Sequence, residues 1–399
     1  MAHRSYLSPD GKWVLIVEMD NAVWMPCRLV PFDGSGAGKQ VGPPLAACTS
    51  AAWSPDGREM YFSSAEGGHF HIWTQKFPEG TPQQVTSGPT EEEGIAIAPD
   101  GRSLITAAGS LQSTVWIRDG RGERRITSEG YADVPELSAD AKRVYYIVRP
   151  SGELRSADVA TMRSEPLLPG FSIERYRLSA DGKSAVFAAR GTDGKSHIWF
   201  TSLDHRSSPR QISHGAGESS PLFTPAGDVL FRASEGASNF AYRMKQDGSE
   251  GQKILADPVL DIDDVSPDGQ WLIVFPLRKG GESAFWRIAY PLQGGSPMTI
   301  CSAECWIRWV SNGTFMVFHF SSNSPNTGVA GEPKTVIVPL RRGTVFPPLP
   351  ASGIESVSEA ASLPGAKVIE GNASPALDPS IYALVRAAVH RNLYRIQIP

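Results

Sequence analysis

The residue types that could hold a metal ion are a histidine pair and a run of aspartates. His69 and His71 lie two positions apart on a predicted strand, so both side chains point to one face and could share an ion. The acidic run comprises Asp257, Asp261, Asp263 and Asp264, whose carboxylates are suitable Ca²⁺ ligands. The pair has no identifiable third ligand, and the run lacks the spacing of a metal-binding loop. The sequence therefore predicts no metal and no cofactor, and His69, His71, Asp261, Asp263 and Asp264 are weak candidates.

Motifs for nucleophilic catalysis and phosphate binding are absent from the sequence. No G-x-S-x-G occurs, and neither does the Gly-rich loop with a strand lysine, the H-R-D or the D-F-G of protein kinases. Gly182-Lys183-Ser184 and Gly194-Lys195-Ser196 resemble the end of a phosphate loop, but Arg177 and Ala189 stand where that loop needs glycine. The sequence therefore predicts that this chain is not an enzyme.

The composition argues against several classes of protein. Of the 399 residues, 41% are hydrophobic, which is enough for a large core. The net charge of −4, from 38 basic and 42 acidic residues, creates no strong field, so nucleic-acid binding is not expected. No apolar run of about 18 residues is present, which predicts no membrane span. The first residues, MAHRSYLSPDG, do not resemble a signal peptide.

The four cysteines are too few for a disulfide scaffold. Only Cys301 and Cys305 are close in sequence, whereas Cys27 and Cys48 are remote from them, so the paired spacing of a zinc site is missing. We expect buried thiols, and disulfides are the alternative if the protein works in an oxidising compartment.

A four-residue pattern recurs eight times along the chain. The eight copies are Ser8–Gly11, Ser54–Gly57, Ala98–Gly101, Ser138–Ala141, Ser179–Gly182, Thr224–Gly227, Ser266–Gly269 and Val310–Gly313. Counted at the fourth residue, they are spaced by 40 to 46 residues. That period is typical of the blades of a β-propeller.

The pattern has the chemistry of a tight turn between two strands. Proline fits the second turn position, aspartate bonds to nearby backbone, and the final glycine accepts a positive φ. Ala141 replaces this glycine in the fourth copy, so we expect backbone strain or a different turn there.

Each turn is followed by a β-rich run and then by a third strand that is usually centred on an aromatic residue. The third-strand positions are Trp24, Trp73, Trp116, Trp199, Tyr242 and Trp286, with Leu154 as the exception. We expect these rings to pack between neighbouring blades. Four short strands per repeat without helical periodicity predict an all-β protein, a β-propeller of four-stranded antiparallel blades. Eight blades are predicted, and seven or nine are the alternatives.

The repeat resembles the TolB-type, WD-repeat-like β-propeller, in which S-P-D-G is followed by a hydrophobic strand, an I-W strand and an (L/I)-T strand. The C-terminal stretch Tyr382–Pro399, and within it Arg391–Ile396, resembles the propeller regions of bacterial, acidobacterial-type Ser/Thr protein kinases. This second resemblance implies a regulatory part of a signalling protein. Because the kinase motifs are missing, it implies no kinase activity for this chain.

We predict a single propeller over residues 1–399. Its eight repeats would occupy 1–347, a loop-rich insertion would occupy 348–380, and a C-terminal hairpin over 381–399 would help to close the ring. Residues 321–333 are also predicted to form a loop because they are rich in Pro, Gly and Ser.

Two acidic segments are the candidate partner-binding sites. Both precede a first strand, and in a propeller such loops share one rim, where they would attract a basic partner. The candidates are Glu91, Glu92, Glu93, Asp257, Asp261, Asp263 and Asp264.

These observations predict a non-catalytic interaction or sensor module with a protein or peptide partner, built as a monomeric ring. One alternative is a propeller enzyme with a metal site in its channel, of the polysaccharide lyase or hydrolase type. Another is a TolB-like periplasmic binding partner. The compartment stays open: extracytoplasmic if the ring belongs to a membrane-anchored kinase, and cytoplasmic otherwise.

Overall fold

The fold is all-β. The computed structural model describes residues 2–20, 23–44, 46–65, 69–88, 90–149, 151–191, 193–204, 207–215, 217–236, 238–277, 286–310, 312–321 and 333–398. Among them, the only helix is α1 (Val357–Ala361), and no helix has the length and apolar character to cross a membrane. Antiparallel sheets of four or five strands make up the rest, which confirms the predicted β-propeller of four-stranded blades.

Each of the eight predicted turns joins the first two strands of a blade. In the first turn, the Ser8 hydroxyl donates to Asp10 at 2.6 Å and accepts from the Trp13 backbone N–H at 2.9 Å. Asp10 also accepts from the Lys12 N–H at 3.1 Å, so a serine and an aspartate together satisfy the turn backbone. The same serine–aspartate bond recurs at Ser54, Ser138, Ser179 and Ser266.

Ala141 adopts a φ of 54°, as the sequence predicted, whereas glycine occupies this position in the other seven turns. Ser311 of the eighth turn, and residues 322–332 of the predicted loop over 321–333, lie outside the described residues.

The chain forms two compact units, which differs from the single domain predicted over 1–399. Unit 1 contains residues 1–112 and 387–399, and unit 2 contains residues 113–386. Two long strands, β11 (Ser103–Asp119) and β34 (Tyr382–Gln397), each contribute one part to unit 1 and the other part to unit 2.

Unit 1 consists of three blades. Blade 1 contains β1 (Ala2–Leu7), β2 (Trp13–Asp20), β3 (Val23–Trp24), β4 (Arg28–Pro31) and β5 (Lys39–Gln40). Blade 2 contains β6 (Ala47–Trp53), β7 (Glu59–Ala65), β8 (His71–Lys76) and β9 (Gln83–Gln84). Blade 3 contains β10 (Glu91–Ile97), the first part of β11 and the last part of β34.

Unit 2 contains five complete blades. Blade 4 is formed by β13 (Ala132–Leu137), β14 (Arg143–Val148), β15 (Glu153–Asp158) and β16 (Ser164–Pro166). Blade 5 is formed by β17 (Ile173–Leu178), β18 (Ser184–Arg190), β19 (Ser196–Ser202) and β20 (Arg210–Gln211). Blade 6 is formed by β21 (Glu218–Phe223), β22 (Val229–Glu235), β23 (Ser238–Met244) and β24 (Gln252–Lys253). Blade 7 is formed by β25 (Val259–Val265), β26 (Trp271–Pro276), β27 (Arg287–Pro291) and β28 (Met298–Cys301). Blade 8 is formed by β29 (Cys305–Trp309), β30 (Phe315–Phe320), β31 (Lys334–Pro339) and β32 (Lys367–Glu370).

A ninth, composite blade closes unit 2. Its inner strands are β33 (Asn372–Pro375) and the first part of β34, and its outer strands are the second part of β11 and β12 (Gly122–Arg125). On one side Ala373 and Leu384 pack with Val317 and Ile337 of blade 8, and on the other side Ala383 packs with Val144 of blade 4. Unit 2 is therefore a ring of six blades.

The C-terminal half of the domain prediction differs from the structure. The segment predicted as a loop-rich insertion over 348–380 contains α1, β32 and β33. In place of the hairpin predicted over 381–399 there is the single strand β34, because its two parts pair along β11 and not with each other.

Three of the third-strand aromatic residues lie where the repeat predicted. Trp73, Trp199 and Tyr242 occupy the third strands of their own repeats, and the rings of Trp73 and Trp199 pack against the preceding blade. Trp116 instead lies in the second part of β11, which continues the second strand of its repeat into the composite blade. Trp24 lies on the short ribbon strand β3, and Trp286 precedes β27.

Candidate functional site in unit 2

The six innermost strands of unit 2 surround a cavity of about 400 Å³. One residue from each strand illustrates this lining: Asp133, Tyr176, Ser220, Ile262, Arg308 and Ala373. A second cavity of about 590 Å³ adjoins it, and both are lined by Arg177, Leu222 and Arg308. These three residues therefore form a neck between the two halves of a central channel.

The aspartates of the predicted acidic run do not form a loop, because three of them lie within the inner strand β25. Asp261 forms an ion pair with Arg175 at 2.9 Å and accepts a hydrogen bond from the Ser220 hydroxyl. Burial raises the pKa of Asp261, but the Arg175 charge and the Ser220 hydrogen bond outweigh it, so the pKa stays below its ordinary value. This carboxylate links blades 5, 6 and 7.

The other two buried aspartates bond to the next blade. Asp263 accepts from the Arg287 guanidinium at 2.8 Å and from the Ile307 N–H at 2.9 Å, and Asp264 accepts from the Trp309 N–H at 2.8 Å. Burial raises the pKa of Asp263 to about 6, against the opposing charge of Arg287, and it raises that of Asp264 too. These side chains join blade 7 to blade 8.

These geometries do not assemble a metal site. Among the described residues, no three His, Cys, Asp or Glu side chains converge on a common point. Asp257, the first member of the run, is exposed and accepts only a long hydrogen bond of 3.5 Å from the Tyr290 hydroxyl.

Two arginines at the neck have no acidic partner. Within the described part of the chain, neither Arg177 nor Arg308 forms an ion pair within 4 Å, and the Arg308 side chain makes one weak hydrogen bond, to Ser374 at 3.5 Å. Burial and the nearby charge of Arg177 lower the pKa of Arg308. The two guanidinium groups are partly removed from water and repel each other. A bound anion would offset both the desolvation cost and this repulsion.

Acids are present around the neck: those of the first cavity are already engaged, and Glu136 and Asp264 line the second cavity together with the two arginines, where their charges partly oppose the lowering of the Arg308 pKa. The first cavity is lined by four arginines and three acids: Arg149, Arg175, Arg177, Arg308, Asp133, Glu174 and Asp263. Glu174 accepts from Ser196 and lies 3.6 Å from Arg190, and Asp133 accepts from its neighbour's N–H. Glu136 and Asp264 line only the second cavity. Arg175 is already paired with Asp261 and Arg149 is held by backbone carbonyls, so Arg177 and Arg308 are the cations of this lining that have neither kind of partner.

His319 lines the first cavity beside the two arginines. Burial, and then the charges of Arg308 and Arg177, lower its pKa to about 3, so the imidazole is neutral. Its Nδ1 lies 3.2 Å from the hydroxyl of Thr335, which is fully buried and donates to the Gly371 carbonyl at 2.7 Å. The threonine cannot reach a ligand, so this pair does not form a nucleophile and base.

Two residues on inner strands hold the left-handed conformation. Val134 has a φ of 52° and Ser220 a φ of 54°, both at bulges where the strand register shifts. The Val134 carbonyl is fixed by the Tyr176 hydroxyl at 2.7 Å. Such bulges turn successive side chains toward the channel.

The histidine pair and the other acidic segment belong to unit 1. His71 is buried and its Nδ1 lies 3.0 Å from Glu92, which also accepts from Thr86 and Thr90. His69 lies 3.4 Å from Glu91, and Glu93 pairs with Arg391. Glu91 to Glu93 lie in strand β10 and not in a loop, and the shared rim with Asp257–Asp264 stays a prediction.

The same contact occurs again in unit 2 and was missed in the sequence. His197 is buried with Nδ1 2.8 Å from Glu218, and in both cases a third-strand histidine meets the first strand of the next blade. The sequence carries a signal for it: His-Ile-Trp occurs at 71–73 and at 197–199, each with a glutamate 21 residues after the histidine.

The cysteines form two disulfides, Cys27–Cys48 and Cys301–Cys305. The first joins blade 1 to blade 2, and the second lies between the last strand of blade 7 and the first of blade 8. The expectation of free thiols is therefore wrong, and the disulfide alternative is the one found.

Comparison with solved structures identifies the fold. The structure of a putative TolB from Agrobacterium tumefaciens aligns with a TM-score of 0.50 at 18% identity and covers 70% of this chain and 99% of that one. TolB from Acinetobacter baumannii aligns over 60% of this chain and 62% of that chain, at 22% identity and a TM-score of 0.31.

Curated relatives match shorter parts of the chain, and no protein-family profile matches it. An uncharacterized protein of Agrobacterium fabrum is 28% identical over 99 residues, 24% of this chain and 34% of the relative. The Tol-Pal system protein TolB of Anaeromyxobacter dehalogenans is 30% identical over 111 residues, 27% of this chain and 25% of the relative. That of Francisella tularensis is 24% identical over 207 residues, 48% of this chain and 46% of the relative. The chain thus spans between a quarter and under half of these relatives, and its fold is that of a TolB-like β-propeller.

Proposed function

We propose that unit 2 is a non-catalytic binding module whose channel receives an acidic segment of a partner protein. The observation that carries this proposal is the pair Arg177 and Arg308, which line both cavities and have no ion pair within 4 Å among the described residues. Guanidinium groups bind carboxylates through two parallel hydrogen bonds, and such bonds are strong where water is excluded.

The walls of the first cavity define the rest of the ligand. Leu222, Ile262 and Trp306 give it an apolar side, and the volume of about 400 Å³ suits one or two side chains. Arg149 is held by the carbonyls of Ile173 and Glu174, which leaves the neck arginines as the groups that meet the ligand. A carboxylate flanked by apolar residues, carried on an extended segment, matches these walls.

The relatives support a binding role. TolB is described by name as a protein of the Tol-Pal system, and a component of a multi-protein system needs a surface for its partners. A regulatory role beside a Ser/Thr kinase is supported only by the sequence of β34. The two disulfides favour an oxidising compartment for the module.

A metal-dependent enzyme in the channel has weaker support. All three aspartates of β25 are engaged by arginine, serine or backbone N–H groups, which leaves no convergent carboxylates for an ion.

The test uses a fluorescein-labelled peptide of alternating glutamate and leucine, and the matched peptide with glutamine in place of glutamate. We expect fluorescence anisotropy to show binding of the acidic peptide alone, weakened by about ten-fold or more in Arg177→Ala and in Arg308→Ala, as the loss of a charge-assisted contact requires. Arg342→Ala, at an exposed arginine outside the channel, is the control and should bind like the parent. Equal binding of both peptides, no binding, or unchanged affinity in both neck variants would overturn the proposal.

A further inference from the structure

The second strand of a blade shows whether that blade has neighbours on both sides. The third residue after the turn faces the preceding blade, and the fourth faces the following one, because side chains alternate along a strand. In blades 2 to 5, 7 and 8 the third residue is fully buried, and so is Val229, its equivalent in blade 6, where the turn is one residue shorter; the other residues are Met60, Leu104, Val144, Ala185, Leu272 and Met316. In blade 1 the same position is Val14, which is only half-buried.

Val14 lies on a face of blade 1 that no cluster of buried hydrophobic residues covers within the described ranges. It pairs with Leu7 on one side and Val30 on the other, and Phe32 follows at the end of the same row. Leu7 and Phe32 are largely exposed, at 53% and 64%. Leu15 and Leu29, which point the opposite way, are buried against blade 2. We name the residues Leu7, Val14, Ile16, Val30 and Phe32 the leading face.

Blade 3 shows the complementary deficiency. The fourth residue after the turn is buried in blades 1, 2, 4, 5, 7 and 8, and so is Leu230, its equivalent in blade 6; the other residues are Leu15, Tyr61, Tyr145, Val186, Ile273 and Val317, and none of the seven is more than 6% exposed. In blade 3 it is Ile105, which is 45% exposed. Alternation places Leu393 of β34 on the same side, since Ile396 and Ile398 pack the other way against blade 2, and Leu393 is 76% exposed. We name Ile105 and Leu393, with Ala96 paired to Ile105, the trailing face.

Among the described residues, unit 1 thus has three blades, and its leading and trailing faces each carry exposed apolar side chains beside one ion pair, Glu18–Arg28 on the leading face and Glu93–Arg391 on the trailing face. Where two described blades are in contact, the face of one blade that corresponds to the leading face of blade 1 packs against the face of the other that corresponds to the trailing face of blade 3. The same repeat closes into a ring at six blades in unit 2, and three is half of six.

We propose that unit 1 associates with unit 1 of a second copy of this chain, so that two three-bladed arcs form one six-bladed ring. A two-fold axis along the ring would place the leading face of each copy on the trailing face of the other, which buries both pairs of faces with a contact that the chain already uses within itself. This inference is independent of the channel in unit 2. It replaces the monomer predicted from the sequence, which assumed a single closed ring.

The first experiment is the mass of the intact 399-residue chain by size-exclusion chromatography with light scattering. We expect twice the 43.1 kDa of one chain. Phe32→Glu, on the leading face, and Leu393→Glu, on the trailing face, should each weaken the dimer by about ten-fold or more, because each introduces a charge into both apolar contacts. Val368→Glu, at an apolar residue that is 42% exposed on strand β32 of unit 2, should leave the dimer intact.

The second experiment mixes the two face variants. In a heterodimer of Phe32→Glu with Leu393→Glu, both charges fall in one contact and the other contact is unaltered, so the mixture should dimerise better than either variant alone. Circular dichroism verifies that both variants are folded. A monomeric parent chain, an oligomer larger than two, or a dimer that neither face variant weakens would overturn the proposal. So would a mixture that behaves as the average of its components.

Discussion

His319 should make unit 2 sensitive to acid. Its pKa in the folded protein is about 3, because the ring is buried beside Arg308 and Arg177, whereas an unfolded histidine titrates near pH 6.5. A depressed folded pKa gives stability that is complete above the unfolded pKa and is lost as the pH falls toward the folded one. The free energy of unfolding should therefore fall by about 1.4 kcal/mol per pH unit once the pH is below about 6.

Between about pH 8 and pH 5 this residue alone should remove up to about 2 kcal/mol, an upper value because one side of the ring meets the water-accessible channel. The assay is urea unfolding at these two pH values for the parent and for His319→Gln, which keeps a polar side chain but does not titrate. We expect the parent to lose about 1 to 2 kcal/mol more than the variant over this interval. Equal losses in both proteins would show that His319 titrates normally in the folded state and would refute the description of the neck as a desolvated, positively charged site.

Two further predictions concern the contacts between strands and between blades. Ala141→Gly should raise stability by about 1 kcal/mol in thermal unfolding, because glycine tolerates the φ of 54° without strain; Ala226→Gly, at a turn residue without a positive φ, is the control and should not stabilise. Burial lowers the pKa of His197, but the hydrogen bonds and charges of Glu218 and Asp193 outweigh it, so the pKa is raised. The charged pair therefore stabilises the fold most below about pH 6.5, and this stabilisation is lost as the pH rises through the folded pKa. Glu218→Gln should therefore cost about 1.5 to 3 kcal/mol near pH 6 and clearly less near pH 9 in urea unfolding, and a cost independent of pH would contradict this assignment.

The sequence predicted the local structure well because the turns carry their own chemistry. Serine, aspartate and glycine stand together at the same positions in four of the eight turns, the other four keep at least one of them, and the two strands that flank each turn pair as predicted. The Ala141 strain was predictable for the same reason.

Pairing between distant segments could not be predicted in this way. Strands β11 and β34 pair although about 270 residues separate them, and neither sequence carries a local signal for the other. Strands β32 and β33 have only four residues each and are flanked by Pro, Gly and Ser, so the segment resembled a loop.

The binding site was missed because it depends on which charges lack a partner. Asp261, Asp263 and Asp264 were visible as an acidic run, but the arginine and backbone N–H groups that engage them come from other blades. Arg177 was noted only as the residue standing where a phosphate loop needs glycine.

The composite blade has a consequence for synthesis of the protein. Strand β11 ends at Asp119, whereas its partner β34 begins at Tyr382, 263 residues later (382 − 119). At translation rates of about 5 to 20 residues per second, the second part of β11 waits for roughly 15 to 50 s as a bare edge open to unwanted pairing. The second part of β11 must stay free of other pairings until β34 is synthesised. A chain that stops before Tyr382 would therefore contain blades 4 to 8 without the composite blade that joins blade 8 to blade 4.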